Sequence, residues 1–128
     1  MDTHEPRDRR GQRIILSLAG LWGLAGVIML AAGSHPPRTG ILATGGMFLL
    51  FHAAVVIGLI GSPLVAGWRR SLPIALMLLG SGLFAFEIGL HAMLGVSPLA
   101  LLAPIGGGIT VLGWLALAIT PLLRDGDA

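Results

Sequence analysis

The chain has 128 residues, of which 55% are hydrophobic and 11% are charged, and its mean hydropathy is +0.89. This balance excludes an ordinary soluble domain and predicts a protein whose solvent is lipid. The pI near 11.2 reflects a net charge of only +2, carried by arginines without lysine in short clusters beside apolar runs, so no nucleic-acid-binding face is predicted.

Four apolar segments are long enough to cross a bilayer, because a hydrocarbon core of about 30 Å requires roughly 20 residues of helix. Helices are predicted because a backbone in hydrocarbon must satisfy its own hydrogen bonds, and no alternating pattern indicates a barrel. The predicted spans are residues 14–32, 41–60, 72–94 and 99–122. The fold class is therefore an all-α membrane protein, with one antiparallel four-helix domain over residues 1–128.

Local signals place the ends of these spans. Residues 61–63 (Gly-Ser-Pro) predict the end of the second helix, and Ser71 is a candidate N-cap for the third. Ser97 as N-cap and Pro98 at the first helical position predict the start of the fourth. In this fourth span, Pro104 to Gly108 contains a proline and three glycines, which predicts a helix that is kinked or broken there.

The arginines predict the orientation, because positively charged loops resist translocation. Seven of the eight would lie on one side of the membrane: Arg7, Arg9, Arg10, Arg13, Arg69, Arg70 and Arg124. Only Arg38 would lie opposite. Both termini are thus expected in the cytoplasm, with residues 1–13 as a basic tail. Arginine without lysine and 20 glycines suggest a GC-rich bacterial genome, hence a multi-pass protein of the inner membrane.

A secretory signal peptide is the alternative interpretation of the first span, since an arginine-rich start and the small residues 31–33 resemble one. Its apolar run of 19 residues is longer than the roughly 7 to 15 of a signal core. Three further spans follow, so a retained helix is expected.

Small residues at regular spacing predict where helices pack, because lipid tails are as apolar as leucine and membrane helices associate through close contact. The strips are Ala19, Gly23 and Gly26 in the first span, Ala54, Gly58 and Gly61 in the second, and Ser81, Ala85 and Gly89 in the third. Packing inside one bundle is the expected role, and a seam between two copies is the alternative.

Ionisable residues inside a membrane are costly and direct attention to function. His52 is expected near the middle of the second span, while Glu87 and His91 share one face of the third, toward its outer end. A proton or cation site made by Glu87 and His91, completed by His35, is one hypothesis. The other is that this pair only anchors the helix near the interface or contacts another helix or subunit.

Other chemistry finds little support in the residue inventory. Without cysteine there is no disulfide, thiolate zinc site or iron–sulfur cluster. A b-type haem between His52 and His91 is disfavoured, because His91 lies about eight residues from the centre of its span, or about 12 Å along the axis. No nucleophile elbow, phosphate loop or HExxH motif occurs. We therefore expect no enzyme, no metal and no cofactor.

Several short segments form a recognisable pattern along the chain: residues 31–35 (Ala-Ala-Gly-Ser-His), 51–53 (Phe-His-Ala), 82–84 (Gly-Leu-Phe), 103–107 (Ala-Pro-Ile-Gly-Gly) and 113–114 (Gly-Trp), with Gly95. This pattern resembles the bacterial membrane family known as domain of unknown function 423. The positions that match its motifs are His35, His52, Pro104, Gly106, Gly107 and Trp114. Glu87 and His91 do not match. The resemblance implies a four-helix inner-membrane protein related to eukaryotic transmembrane protein 256, without a known activity.

The leading functional hypothesis is a non-enzymatic accessory or scaffold subunit, whose partners are the bilayer and either other membrane proteins or a second copy of the chain. The alternative is a small proton- or ion-linked transporter that uses Glu87 and His91. A transporter needs a polar route inward from Glu87, for which the sequence offers only His52, Thr44 and Thr110.

Overall fold

The structure, a computed structural model, describes residues 5–36 and 40–124. These residues form four α-helices and a final 3-10 turn: α1 (Glu5–Gly33), α2 (Ile41–Gly61), α3 (Trp68–Leu94), α4 (Leu102–Ile119) and the turn Thr120–Leu122. All four helices are long and apolar enough to cross a membrane. The prediction of an all-α chain with four helices of this kind is confirmed.

The first and third helices begin earlier than their apolar runs. Helix α1 starts at Glu5, so the described part of the basic tail continues the helix. Helix α3 starts at Trp68, and its N-cap is Gly67 with a positive φ of 57°. The prediction of Ser71 as N-cap is therefore wrong. Ser71 instead lies in the first turn, where its hydroxyl donates a hydrogen bond of 2.8 Å to the Gly67 carbonyl.

The fourth helix begins later than predicted. Residues 98–101 form a turn, in which the Leu102 amide bonds the Leu99 carbonyl at 2.9 Å, and α4 starts at Leu102 rather than after Ser97. Pro104 therefore lies in the first helical turn, where a missing N–H costs no intrahelical hydrogen bond. The helix is uninterrupted through Gly108, so the predicted break is wrong, while a bend of its axis stays a prediction.

Helix α3 is the centre of the arrangement. Helix α1 packs along α2, α2 packs against α3, and α4 packs along α3. Over the described ranges, no Cα atom of α4 lies within 8 Å of a Cα atom of α1 or α2. The fourth helix is thus attached to the rest of the molecule through α3, and a gap remains between α2 and α4.

Glycine pairs bring the helix backbones into direct contact. A Cβ atom on Gly80 of α3 would lie 2.6 Å from the Gly106 carbonyl oxygen of α4, and one on Gly106 would lie 2.6 Å from the Gly80 oxygen. Gly26 of α1 and Gly46 of α2 form the equivalent pair, at 2.8 and 2.6 Å. Neither crossing has room for a methyl group, which is how small residues allow membrane helices to pack.

The predicted strips of small residues divide into two groups. Ala19 of α1 and Ser81 and Ala85 of α3 are buried inside the chain, as expected for packing strips. The strip on α2 is not: Ala54 and Gly58 are exposed, and no atom lies within 4 Å of a Cβ built on Gly58. The prediction that it packs within the bundle is wrong, because Gly46 makes the contact to α1 instead.

The described arginines at helix ends gather at one end of the molecule. Arg70 at the start of α3 lies 3.6 Å from the carboxylate of Asp8 near the start of α1. Arg69 donates a hydrogen bond of 2.9 Å to the carbonyl of Leu123, just after α4. Arg38, which was predicted on the opposite side, lies outside the described residues. We refer to this end of the molecule as the arginine end.

Replacing Gly80 by alanine tests the α3–α4 crossing. We expect a loss of about 1–3 kcal/mol in the free energy of unfolding, because the added methyl group overlaps backbone atoms that cannot move separately. The matched control is Gly108→Ala on α4, where nothing lies within 4 Å of the added Cβ and alanine is the better helix former. Reversible unfolding in bicelles measures both. Equal stability of the two variants would contradict the assigned crossing.

Candidate functional site

A concave surface lies between α2 and α4, with α3 as its floor. It has a volume of about 750 Å³, within the usual range of ligand pockets. Its lining residues are Thr44, Met47, Phe48, Phe51 and His52 of α2, Phe84 of α3, and Gly107, Thr110, Val111 and Trp114 of α4. We call this surface the α2–α4 groove. The contributing positions on α2 and α4 recur every three or four residues, so each set occupies one face of its helix.

His52 and Trp114 bridge the groove at the end that lies nearer the middle of α2. His52 is only 4% exposed, and its Nδ1 lies 2.7 Å from the carbonyl oxygen of Phe48. Since a carbonyl oxygen only accepts, Nδ1 carries the hydrogen of the neutral imidazole, and Nε2 is an acceptor. The indole N–H of Trp114 donates to this Nε2 at 3.1 Å. Both ring nitrogens are therefore used, and adding a proton at Nε2 would set two N–H groups against each other.

Aromatic rings surround this hydrogen bond. The ring of Phe48 lies 4.5 Å from that of His52 and 4.3 Å from that of Phe84. Phe51 lies 6.1 Å from Trp114 between ring centroids. These spacings are those of favourable aromatic pairs. The cluster joins α2, α3 and α4 and keeps the imidazole away from solvent and lipid.

The other polar groups of the groove also have partners in the chain. The hydroxyl of Thr44 donates to the Gly40 carbonyl at 3.0 Å, and that of Thr110 donates to the Gly106 carbonyl at 2.9 Å. Helical serine and threonine commonly satisfy themselves in this way. The groove therefore presents hydrocarbon and aromatic surface, and it suits an apolar occupant better than an ion or a polar substrate.

Glu87 is a separate feature. It is 3% exposed, and its Oε1 is buried without a hydrogen-bond partner. It follows Gly80 and Phe84 by seven and three residues, which places it on the strip of α3 that packs against α4. A buried carboxyl oxygen without a partner is costly inside a membrane, so Glu87 is a candidate functional residue.

The remaining predicted site residues are His91 and His35. His91 is half-buried one turn further along α3, and the described contacts include no hydrogen bond or ion pair between the two. His35 is exposed in the turn after α1, where its amide bonds the Ala32 carbonyl at 3.4 Å. Within residues 5–36 and 40–124, no three His, Asp or Glu side chains are grouped as metal ligands would be. The structure brings His52 to Trp114, while no described hydrogen bond links Glu87, His91 and His35 to one another.

Two contacts were missed by sequence reasoning. Trp22 of α1 donates its indole N–H to the Leu78 carbonyl of α3 at 3.0 Å, and Gly82 leaves space for that ring. The bond between His52 and Trp114 was also missed, although both residues fall near the middle of their helices. The sequence signal that could have predicted this bond is the similar position of the two residues along their helices, because side chains at the same level of a helix bundle can come into contact.

In comparisons with known proteins, no family model, no curated protein and no solved structure matches the chain. The resemblance to domain of unknown function 423 therefore stays a prediction. Of the positions that carry it, Gly107 and Trp114 line the groove and Gly106 forms the α3–α4 crossing, while Pro104 is exposed in the first turn of α4.

The hydrogen bond between His52 and Trp114 can be measured by a double-mutant cycle with His52→Phe and Trp114→Phe. We expect a coupling of about 0.6 kcal/mol, up to about 1.7, in the free energy of unfolding, which is typical of polar contacts between membrane helices. Trp68→Phe serves as the control partner, because Trp68 is 44% exposed at the start of α3. A coupling as small as that of the control would show that the bond contributes nothing.

Proposed function

We propose that this chain is a multi-pass protein of a bacterial inner membrane that acts as a non-enzymatic accessory subunit. In this proposal the four helices form an antiparallel bundle with both termini in the cytoplasm. The clustering of Arg69, Arg70 and the first turns of α1 at one end supports this orientation. The contact of α1 with α2 through Gly26 and Gly46 supports retention of the first helix.

The α2–α4 groove carries the functional proposal. Exposed apolar side chains alone indicate nothing in a membrane, because lipid tails match them. What distinguishes this surface is its concave shape, with Gly107 in one wall and no atom within 4 Å of a Cβ built there. Met47, Phe51 and Val111 around it are 60–66% exposed. Such a surface gives a transmembrane helix a larger contact area than a convex helix face does.

The occupant we propose is a transmembrane helix of another membrane protein. The polar groups of the groove are already paired within the chain, so they offer no site for a charged substrate. Among the described helices, the backbone of α4 lies close to that of α3 alone, and Trp114 reaches α2 only at one end of the groove, so the rest of the groove is left for a partner. The function is therefore binding, and the resemblance to a four-helix inner-membrane family without known activity agrees with it.

Site-specific photocrosslinking in native membranes tests this proposal. A crosslinker at Val111 of the groove should capture one protein of defined mass, while one at the neighbouring Leu112, which is 53% exposed but outside the groove, should not. Gly107→Trp should abolish this product by filling the groove. Gly108→Trp is the matched control, because the adjacent glycine lies outside the groove lining.

Other outcomes would change or remove the proposal. A product of twice the chain mass would replace the heterologous partner by a second copy of this chain. Equal capture at Val111 and Leu112, or a product that survives Gly107→Trp, would show that the groove binds no specific helix.

A proton-linked transporter is the second candidate, and the unpartnered Oε1 of buried Glu87 favours it. A transporter also needs polar groups that carry a proton inward from Glu87. The three available residues, His52, Thr44 and Thr110, are already engaged in hydrogen bonds, and Glu87 does not line the groove.

Glu87→Gln separates the two candidates, since glutamine keeps the shape of the side chain and cannot release a proton. An accessory subunit should keep its Val111 crosslink in this variant, and proteoliposomes of either form should show the same proton permeability. If the natural chain conducts protons and Glu87→Gln stops them, transport replaces the accessory role. His91→Gln provides the comparison one turn away.

A further inference from the structure

A second cavity lies at the arginine end, between the first turns of α1 and α3. Its volume is about 180 Å³, and its polar wall contains Arg7, Asp8 and Gln12 of α1 with Arg70 and Ser71 of α3. We call it the basic cavity. It is separate from the α2–α4 groove, with which it shares no lining residue.

The basic cavity is polar at its mouth and apolar at its floor. Ile15, Ile60 and Ile74 from three different helices line its inner part. Ile15 lies eight residues after Arg7, which is about 12 Å along a helix, and Ile74 lies one turn after Arg70. Polar groups thus face the end of the bundle while isoleucines face the membrane interior. This order is the one that a phospholipid presents, with its headgroup outside its acyl chains.

One hydrogen bond and one ion pair show which groups of the cavity are already engaged. The Asp8 carboxylate accepts a hydrogen bond of 2.9 Å from the Gln12 amide and lies 3.6 Å from the Arg70 guanidinium. Arg70 is held in place, because its side chain is only 15% exposed, whereas Asp8 is 68% exposed and can move aside. A guanidinium has five N–H donors, so the pair with Asp8 leaves donors for a second acceptor.

The positive-inside rule accounts for arginines near this end of the molecule, but it does not account for a cavity between two helices with one arginine on each side. The charge of Arg7 and Arg70 exceeds that of Asp8, so the cavity is complementary to an anion. The isoleucines of its floor are complementary to a hydrocarbon group, and free phosphate has none. Basic pockets between membrane helices on the cytoplasmic side are a known form of lipid recognition.

We infer that the basic cavity binds an anionic glycerophospholipid, whose phosphate lies against Arg7 and Arg70 and whose glycerol and first methylenes contact Ile15 and Ile74. Asp8 competes with the phosphate and keeps the affinity moderate. The inference needs the chain to lie in a bilayer, as proposed above, but it does not need the groove or its partner.

The test measures binding of phosphatidylglycerol against phosphatidylcholine to the full chain, by native mass spectrometry from nanodiscs that contain both lipids. Arg70→Gln should weaken phosphatidylglycerol binding about fivefold, as expected for one basic residue at a membrane surface. Arg13→Gln is the matched control, because it removes the same charge from exposed α1 surface outside the cavity. Asp8→Asn should strengthen binding, since it removes the competing carboxylate.

Equal losses in Arg70→Gln and Arg13→Gln would overturn the inference, because they would show only general attraction to anionic lipid. A loss in Asp8→Asn would overturn it as well. Binding of soluble glycerol phosphate that Arg70→Gln weakens, without any preference for phosphatidylglycerol over phosphatidylcholine, would assign the cavity to a free phosphate instead of a lipid. Arg7→Gln is the second cavity variant, used if Arg70→Gln does not fold. These variants should keep the Val111 crosslink, because the basic cavity and the groove share no lining residue. Loss of lipid binding with an unchanged crosslink therefore tests the lipid site independently of the accessory role.

Discussion

Direct contact between helix backbones at glycine pairs is the interaction on which the rest of the structure depends. In lipid, no hydrophobic force drives helices together, so the surfaces that approach most closely decide the arrangement. Gly80 and Gly106 bring α4 onto α3, and Gly26 and Gly46 bring α1 onto α2. Because α4 is attached at this crossing, Trp114 reaches His52 across the groove. The width of the α2–α4 groove therefore follows from glycines that do not line it.

The polar residues of the interior illustrate two ways in which a membrane chain treats a costly group. His52 has a partner on each ring nitrogen and is enclosed by aromatic rings. Its hydrogen bond to Trp114 connects α2 to α4. Glu87 is equally buried but leaves Oε1 without a partner. The first is a structural hydrogen bond, and the second is the residue from which any proton chemistry of the chain would start.

The two cavities differ in depth and in chemistry, and each follows from the helices that form it. The groove lies between α2 and α4, from their middle toward the end opposite the arginines, and its lining is mostly apolar and aromatic. The basic cavity lies between the first turns of α1 and α3, where arginines lie next to isoleucines. The proposed partner helix suits the first environment and the proposed anionic lipid suits the second, and the two sites share no lining residue.

The sequence by itself determined the number of helices, their approximate spans and the gathering of Arg69, Arg70 and the basic start of α1, because hydropathy and charge are summed along the chain. It also placed His52 near the middle of α2. Only the tertiary structure decided that His52 meets Trp114, that Gly46 rather than Gly58 contacts a neighbour, and that α4 begins at Leu102. The reason is physical: in lipid both faces of a helix are apolar, so periodicity does not distinguish the packed face from the exposed one, and close contacts between distant residues make that choice.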